Sequence, residues 1–533
     1  MPDYKAPLRD MRFVLNEVLD IDGHYQGLGL EEVNSELLNA FLEEGAKFAE
    51  NELAPLNRSG DEEGCGFDNG VVTTPKGFKE AYAKYVEGGW PAMGGDPEFG
   101  GQGLPGSAGI AISEMTGTAN WSWSMYPGLS HGAVATIEEH GTDEQKNGYL
   151  PKLTSGEWTG TMCLTEAGAG SDLSRIRCRA VRDGAGWRIE GQKIFISGGD
   201  QDLSEGILHL VLARTGAPED GVKGLSLFLC PSDRDGVRNA ITVTRIEEKL
   251  GLHASPTCQM EFDGASAELV GAEGRGLAAM FTMMNHARLD VSLQGVAHAA
   301  RAHAIAAAYA AERRQGRQPD GSDAMLADHP DVQRMLAEQQ DAARVARAMC
   351  HIALGELERG DAPALVEFLT PLCKIWCTEA GLRAADLGIQ ILGGYGYLEE
   401  YGVAQIWRDA RITTIYEGAN GVHCQTSTMI RVTIPMRTDP SQFGAVSPTP
   451  SISQLISPHS GFRSARHITP TTSGVISIGR IRILRTSQEK RRFRLKNRAR
   501  PTPISTCRLT VALTNSRLFI AAFQNCGSLI RSR

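Results

Sequence analysis

Apolar residues first recur at helical spacing. In ELLNAFLEEGAKFAENELAPLNRSGDEEG they fall three and four positions apart, then give way to polar and glycine-rich sequence. GFKEAYAKYVEGGW repeats the pattern in a shorter amphipathic segment that ends in glycines. WPAMGGDPEFGGQGLPG holds too much Gly and Pro for a regular element, and SAGIAISEMTGTANWSWSMYPGLSHGAVATIEEHG returns to helix. From WTGTMCLTEAGAGSD onward the period changes. RCRAVRDGAGWRIEGQKIFISGG alternates about Asp183-Gly184 as a hairpin does. HLVLARTG, GLSLFLCPS, ITVTRIEE and CQMEFDG are further short β runs divided by turn signals, so a small antiparallel barrel or sandwich is expected. Three long helical patterns follow: ARLDVSLQGVAHAARAHAIAAAYAAERRQGR, VQRMLAEQQDAARVARAMCHIALGELERG and LVEFLTPLCKIWCTEAGLRAADLGIQILGG.

This order of helices, strands and helices predicts an α+β protein. An N-terminal extension covers residues 1–35, an N-terminal α-helical domain 36–158, a central antiparallel β domain 159–275, and a C-terminal helical bundle 276–425. Residues 426–533 are rich in Ser, Thr, Pro and Arg and keep no sustained period. They are expected to form an atypical, disordered tail.

Charge sharpens that last boundary. The net charge of −9 conceals 18 Lys+Arg against 2 Asp+Glu in residues 426–533, leaving 36 against 61 in residues 1–425. Eleven cysteines in 533 residues, with no CxxC, are too few for a disulfide scaffold and give no metal-binding spacing; no metal is expected. They read as reduced thiols of a cytoplasmic protein. No secretory signal is visible at MPDYKAPLRDMRFVLNEVLD, and no apolar run is long enough to cross a membrane.

Three stretches can carry chemistry. CLTEAGAGSDLS follows a strand, and its small residues let a backbone approach a flat ring or an anion. Alone it reads better as an ordinary glycine turn. KIFISGGD ends a strand with an aromatic, a hydroxyl and two glycines, and alone is a strand entering a turn. In QILGGYGYLEEYGVAQIWRDARITTIYEGANG a long helix stops at Gly393-Gly394. Arg408 and Asp409 then read as a structural ion pair, and Glu417 as a solvated loop acid.

Together, EFGGQGLP, CLTEAGAGSD, GQKIFISGG, AERRQGR, QILGGYGY and RDARITTIYEGANG resemble the acyl-CoA dehydrogenase family, in order and spacing, over about residues 36–421. The start, YKAPLRDMRFVLNEVLD, resembles the longer bacterial members described as 3-methylmercaptopropionyl-CoA dehydrogenase-like. The resemblance implies FAD-dependent α,β-dehydrogenation of an acyl-CoA thioester to a trans-2-enoyl-CoA. An electron-transferring flavoprotein is the implied acceptor and a homodimer or homotetramer the implied assembly. It makes Glu417 the base and places Gly418 against the substrate. It assigns the flavin to Met162, Cys163, Leu164, Thr165 and Ser171, to Phe195, Ile196 and Ser197, and to Ala419 and Asn420. Arg313 and Gln315 would bind the FAD phosphates. Gln390, Ile391, Leu392, Gly393 and Gly394 would meet the FAD of a neighbouring subunit. Ser171, Asn285 and Arg288 would bind CoA, although MMNHAR replaces the commoner FDxxR.

Phe195 stands where many members have Trp, and Ala167 where Pro is usual. After YEGANG the expected apolar helical segment is replaced by VHCQTSTMIRVTIPMRTDP. Two readings of the tail stay open. In one, residues from about 423 are translated out of frame. In the other, weaker reading, KRRFRLKNRAR is a basic arm for nucleic acid, as in a DNA-binding branch of the family. An acyl-CoA oxidase is a further alternative, and the acyl chain is left undefined.

Overall fold

The computed structural model describes residues 2–422 except 235, so every call on the tail lies outside the described residues. The expected helix, strand, helix order is present.

The first layer is helical. Helix α1 (Ser35–Phe48) starts where the Asn34 side chain accepts from the Leu37 N–H at 3.0 Å. It buries Leu38, Leu42, Ala46 and Phe48 along one stripe. Helices α2 (Ala54–Glu63), α3 (Phe78–Glu87), α4 (Gly106–Ala119) and α5 (Trp121–His140) complete this layer. Helix α6 (Asp143–Ser155) opens with a reciprocal capping box between Thr142 and Gln145. The N-terminal segment is built into the structure. Met11, Leu15 and Tyr25 join the core of this layer. Asp10 pairs with Arg344 at 2.9 Å and His24 with Glu358 at 2.7 Å.

The strands are β1 (Trp158–Cys163), β2 (Arg179–Asp183), β3 (Gly186–Ser197), β4 (Gly206–Arg214), β5 (Leu225–Pro231), β6 (Ile241–Ile246) and β7 (Thr257–Val270). Pairing runs β7–β3–β2–β4–β5 and back to β7, a closed ring with β6 and β1 attached outside it. All residues of β4 and β5 are buried, which explains their nearly continuous apolar runs, interrupted by His209, Arg214 and Ser226. The expectation of a wholly antiparallel domain needs correction: β1 and β4 are parallel, Trp158 opposite Gly206 through Cys163 opposite Val211. The β2–β3 hairpin intervenes between them, so the chain crosses over and re-enters in the same direction. Hydrophobic alternation carries no information about that direction.

Helices α7 (Gly276–Glu312), α8 (Pro330–Arg359) and α9 (Pro363–Leu392) form the last layer, and α10 (Val403–Ala410) leads to the final turns. Helices α7 and α9 meet backbone to backbone. A Cβ on Gly295 would stand 2.1 Å from the Cys377 carbonyl oxygen, and one on Gly381 would stand 2.7 Å from that of Gly295. Two successive up-and-down connections through α8 make α7 and α9 run the same way. Arg288 and Lys374 each lie seven residues, two turns, before their contact glycine and so share a level.

Candidate active site

Glu417 stands at that level. It has φ +54°, and Gly418 after it has φ +94°. A non-glycine residue in this region is a local strain that surrounding contacts must hold in place. The loop is held by Lys374, which is fully buried. Its Nζ donates to the Gly418 carbonyl and to Asn420 Oδ1, each at 2.8 Å. Asn420 Nδ2 in turn donates to Thr378 Oγ1 at 3.2 Å and Glu379 Oε1 at 3.0 Å. On the other side the Tyr416 hydroxyl donates to Gln294 Oε1 of α7.

Burial lifts the Glu417 carboxyl to about 7, against the opposing pull of Arg288 and Lys374. Asp290 is lifted to about 7 by burial and then by Glu417. Burial lowers the Lys374 ammonium to about 8, against the attraction of Glu417. Glu417 is only partly exposed and its carboxyl changes charge near neutrality, unlike a fully solvated loop acid. Arg288 donates to Asn285 Oδ1 at 3.3 Å, while its Nε is buried without a partner among the described residues. Two of the three CoA candidates, Asn285 and Arg288, are thus brought together, with Arg288 beside Glu417.

Arg408 and Asp409 do not pair with each other. Arg408 binds Asp61 at 2.5 Å and Glu399 at 2.9 Å, and Asp409 accepts from the Leu252 N–H at 2.6 Å. The expected ion pair is corrected to two separate braces. Adjacent side chains on a helix diverge by about 100°.

The two glycine-bearing stretches form a second constellation. Ile194 N–H donates to the Thr165 carbonyl at 2.8 Å, setting CLTEAGAGSD beside the end of β3. Lys193, fully buried, anchors that loop through the Leu164 carbonyl at 2.9 Å and Glu166 Oε1 at 2.8 Å. Phe195 has φ +60° and is 60% exposed, an unusual state for a large aromatic. The hydroxyls of Thr165, Ser171 and Ser197 make no hydrogen bond among the described residues. An open aromatic face and unused hydroxyls beside a strand edge suit a flat heteroaromatic ring with polar edges, so these residues fit a flavin. Cys163, Leu164 and Ile196 are buried in the β core with Met162 partly buried against it, while Thr165, Phe195 and Ser197 keep accessible surface. Asn420 spends its side chain inward on Lys374, Thr378 and Glu379, and only the backbone of Ala419-Asn420 is left for a cofactor.

The remaining candidates are elsewhere. Arg313, Gln315, Ile391, Leu392, Gly393 and Gly394 line one hollow of about 470 Å³, with Arg313 5.4 Å from the Tyr395 ring centre. Arg288 and Glu312 are separated by 24 residues of α7, roughly 36 Å of helix. Arg313 and Gln315 therefore group with Ile391–Gly394, not with Glu417, while Gln390 is exposed and does not line the hollow. Lys374, Asp290 and Tyr416 were not singled out from sequence. A lone lysine inside the apolar run FLTPLCKIWC was the available signal for the first.

Family models for the N-terminal, middle and C-terminal domains of acyl-CoA dehydrogenases match residues 35–157, 161–265 and 274–430. A 3-methylmercaptopropionyl-CoA dehydrogenase of Ruegeria pomeroyi is 44% identical over 438 residues, 79% of this chain and 74% of that protein. A butyryl-CoA dehydrogenase of Syntrophomonas wolfei is 32% identical over 461 residues, 79% of this chain and 75% of that protein. Among solved structures, butyryl-CoA dehydrogenase from Megasphaera elsdenii superposes with a TM-score of 0.66 at 26% identity, covering 75% of this chain and 99% of that one. Among the described residues no helix is long and apolar enough to cross a membrane.

Proposed function

Given that the chain belongs to the acyl-CoA dehydrogenase family, we propose that Glu417 is the base that removes the α-proton of its acyl-CoA substrate. The protein is an oxidoreductase acting on CoA thioesters. The observation that carries the assignment of Glu417 is its setting: a strained, partly buried carboxyl that ionises near 7, beside Arg288 and a fully buried Lys374.

The chemistry follows from that setting. A thioester α-proton is weakly acidic, and a desolvated carboxylate is a stronger base than a hydrated one. Gly418 adds no side chain beside the base, leaving room for the thioester. Arg288, with an unused buried N–H and Asn285 against it, supplies a cation and a donor for the CoA portion. Members of the family are flavoproteins. In this chain Met162, Thr165, Phe195 and Ser197 are proposed to hold the isoalloxazine ring of FAD, with Ser171 between the cofactor and CoA. FAD, when bound, would supply the hydride acceptor.

The hollow around Arg313, Gln315 and Ile391–Gly394 is proposed to serve the FAD phosphates of a neighbouring subunit, since the length of α7 keeps it from the Glu417 end of its own chain. A homodimer or homotetramer then completes each site. An electron-transferring flavoprotein is the proposed acceptor, and a short thioether-bearing acyl chain, as the Ruegeria relative's name suggests, is the proposed substrate. The oxidase and DNA-binding alternatives gain no support from these residues.

The direct test is Glu417→Gln. The variant should bind flavin and acyl-CoA yet fail to bleach the flavin band anaerobically with a short or thioether acyl-CoA. Bleaching at the wild-type rate would remove Glu417 from the role.

A further inference from the structure

Lys374 lies in α9 among Leu369, Cys373 and Cys377, yet it is fully buried and charged groups meet it from several elements. Its two 2.8 Å bonds both end on the loop that carries Glu417, at the Gly418 carbonyl and Asn420 Oδ1. A second layer fixes the clamp: Thr378 Oγ1 donates to the Lys374 carbonyl at 2.7 Å and accepts from Asn420 at 3.2 Å. A buried ammonium is costly unless its donors are satisfied, and here the satisfaction comes largely from the base loop. The geometry also explains how Glu417 stays in the left-handed region: the peptide one residue on is tied to a helix that cannot move past the Gly295–Gly381 contact.

We propose that Lys374 is a positioning residue of the dehydrogenation: its ammonium clamps the loop bearing Glu417 and supplies the positive charge beside which that carboxylate forms. The inference rests on Glu417 being the base. Two functions are combined in one side chain. The hydrogen bonds set where the carboxyl points, and the charge stabilises its ionised state. Other groups share the electrostatics. Arg288 and Asp290 face Glu417 from α7, Tyr416 precedes it on the loop, and Glu379 stands near Lys374 on α9. Arg288 favours the carboxylate as Lys374 does. Asp290 opposes it when ionised, so a cation on the α9 side balances a carboxylate on the α7 side.

The two functions separate in two substitutions. Lys374→Gln keeps a donor for the Gly418 carbonyl and removes the charge. Lys374→Met removes both. The test measures kcat/KM of the flavin-loaded variants against pH with a short acyl-CoA, together with flavin content, melting temperature and the infrared band of the protonated carboxyl. On the acidic limb Lys374→Gln should fall about tenfold below wild type while its alkaline plateau falls much less, the result of a carboxyl about one pH unit harder to ionise. The carboxyl band should persist to correspondingly higher pH. Lys374→Met should show the same displacement and a lower plateau. An unmoved limb and an unmoved carboxyl band overturn the proposal. Loss of the folded flavoprotein in both variants overturns it too, by assigning Lys374 to stability alone. If Glu417→Gln turns over normally the reading of the base fails. If that variant is inactive and Lys374→Gln keeps the wild-type profile, only the present inference fails.

Discussion

Glu114 of α4 and Arg347 of α8 form a two-pronged ion pair, with Arg347 Nη2 at 2.6 Å and Nε at 2.8 Å from the carboxylate oxygens, and neither side chain is more than 1% exposed. The pair joins the first helical layer to the last. Removing one partner strands a charge out of water, which costs about 3–5 kcal/mol. Arg347→Met should therefore lower stability by that order in denaturant unfolding. Glu114→Gln combined with Arg347→Met should cost less than the two changes added separately, since no lone charge remains.

The pH dependence has a definite sign. As the proposed base, Glu417 would have to be ionised to act, so kcat/KM should rise with pH up to about 7 and then level. Asp290 ionises over the same range and broadens the limb. For stability the direction reverses. The folded-state carboxyl ionises at about 7, above its ordinary 4.5, so between those values the native state binds more protons than the unfolded state. This group's contribution is fully present below 4.5 and is lost as pH rises through about 7. Glu417→Gln should flatten the melting temperature over that interval.

Lys193 anchors the loop proposed to hold the flavin, through Leu164 and Glu166, as Lys374 anchors the loop of Glu417. Glu166 also accepts from the backbone N–H of Arg177 at 2.7 Å and Cys178 at 3.0 Å. Lys193→Met leaves that carboxylate without its cation. A charged hydrogen bond contributes about 1.5–3 kcal/mol, so flavin retention during dialysis should weaken roughly tenfold or more. Retention equal to wild type would show that the loop holds its shape without Lys193.

At the α7–α9 crossing, Gly295→Ala forces a methyl into the Cys377 carbonyl. Such overpacking costs about 1–3 kcal/mol. The same displacement moves Lys374 relative to Arg288, so kcat/KM should fall more than melting temperature alone accounts for. A drop in melting temperature with kcat/KM intact would uncouple the crossing from the site.

Much of this was legible in the sequence. Helix periods, the Asp183-Gly184 hairpin and the order of the layers all emerged from local patterns, because burial of one face imposes a period. CLTEAGAGSD was recognisable as a glycine turn after a strand and KIFISGG as a strand entering a turn, and the contact between Thr165 and Ile194 brings them together. Three things were not legible. The direction of β1 relative to β4 depends on a crossover, not on alternation. Asp290 is one of several polar residues in MMNHARLDVSLQ and nothing in the pattern separates it from them, while Lys374 stood out only as a lone lysine with no partner legible along the chain. The grouping of Arg313 with Gly393 needs two helix ends to meet, which spacing along one helix does not reveal.

Helix α7 carries Arg288 near its start and delivers Arg313 just beyond its end, and α9 likewise carries Lys374 and delivers Gly393. Inserting one residue between either pair would advance everything beyond it by about 1.5 Å and turn it by about 100°. Both ends would then face the wrong way relative to each other. Natural variants of this chain can therefore exchange side chains freely along the exposed faces of these helices, but gains or losses of single residues between 288 and 313, or between 374 and 393, should be absent from functional descendants.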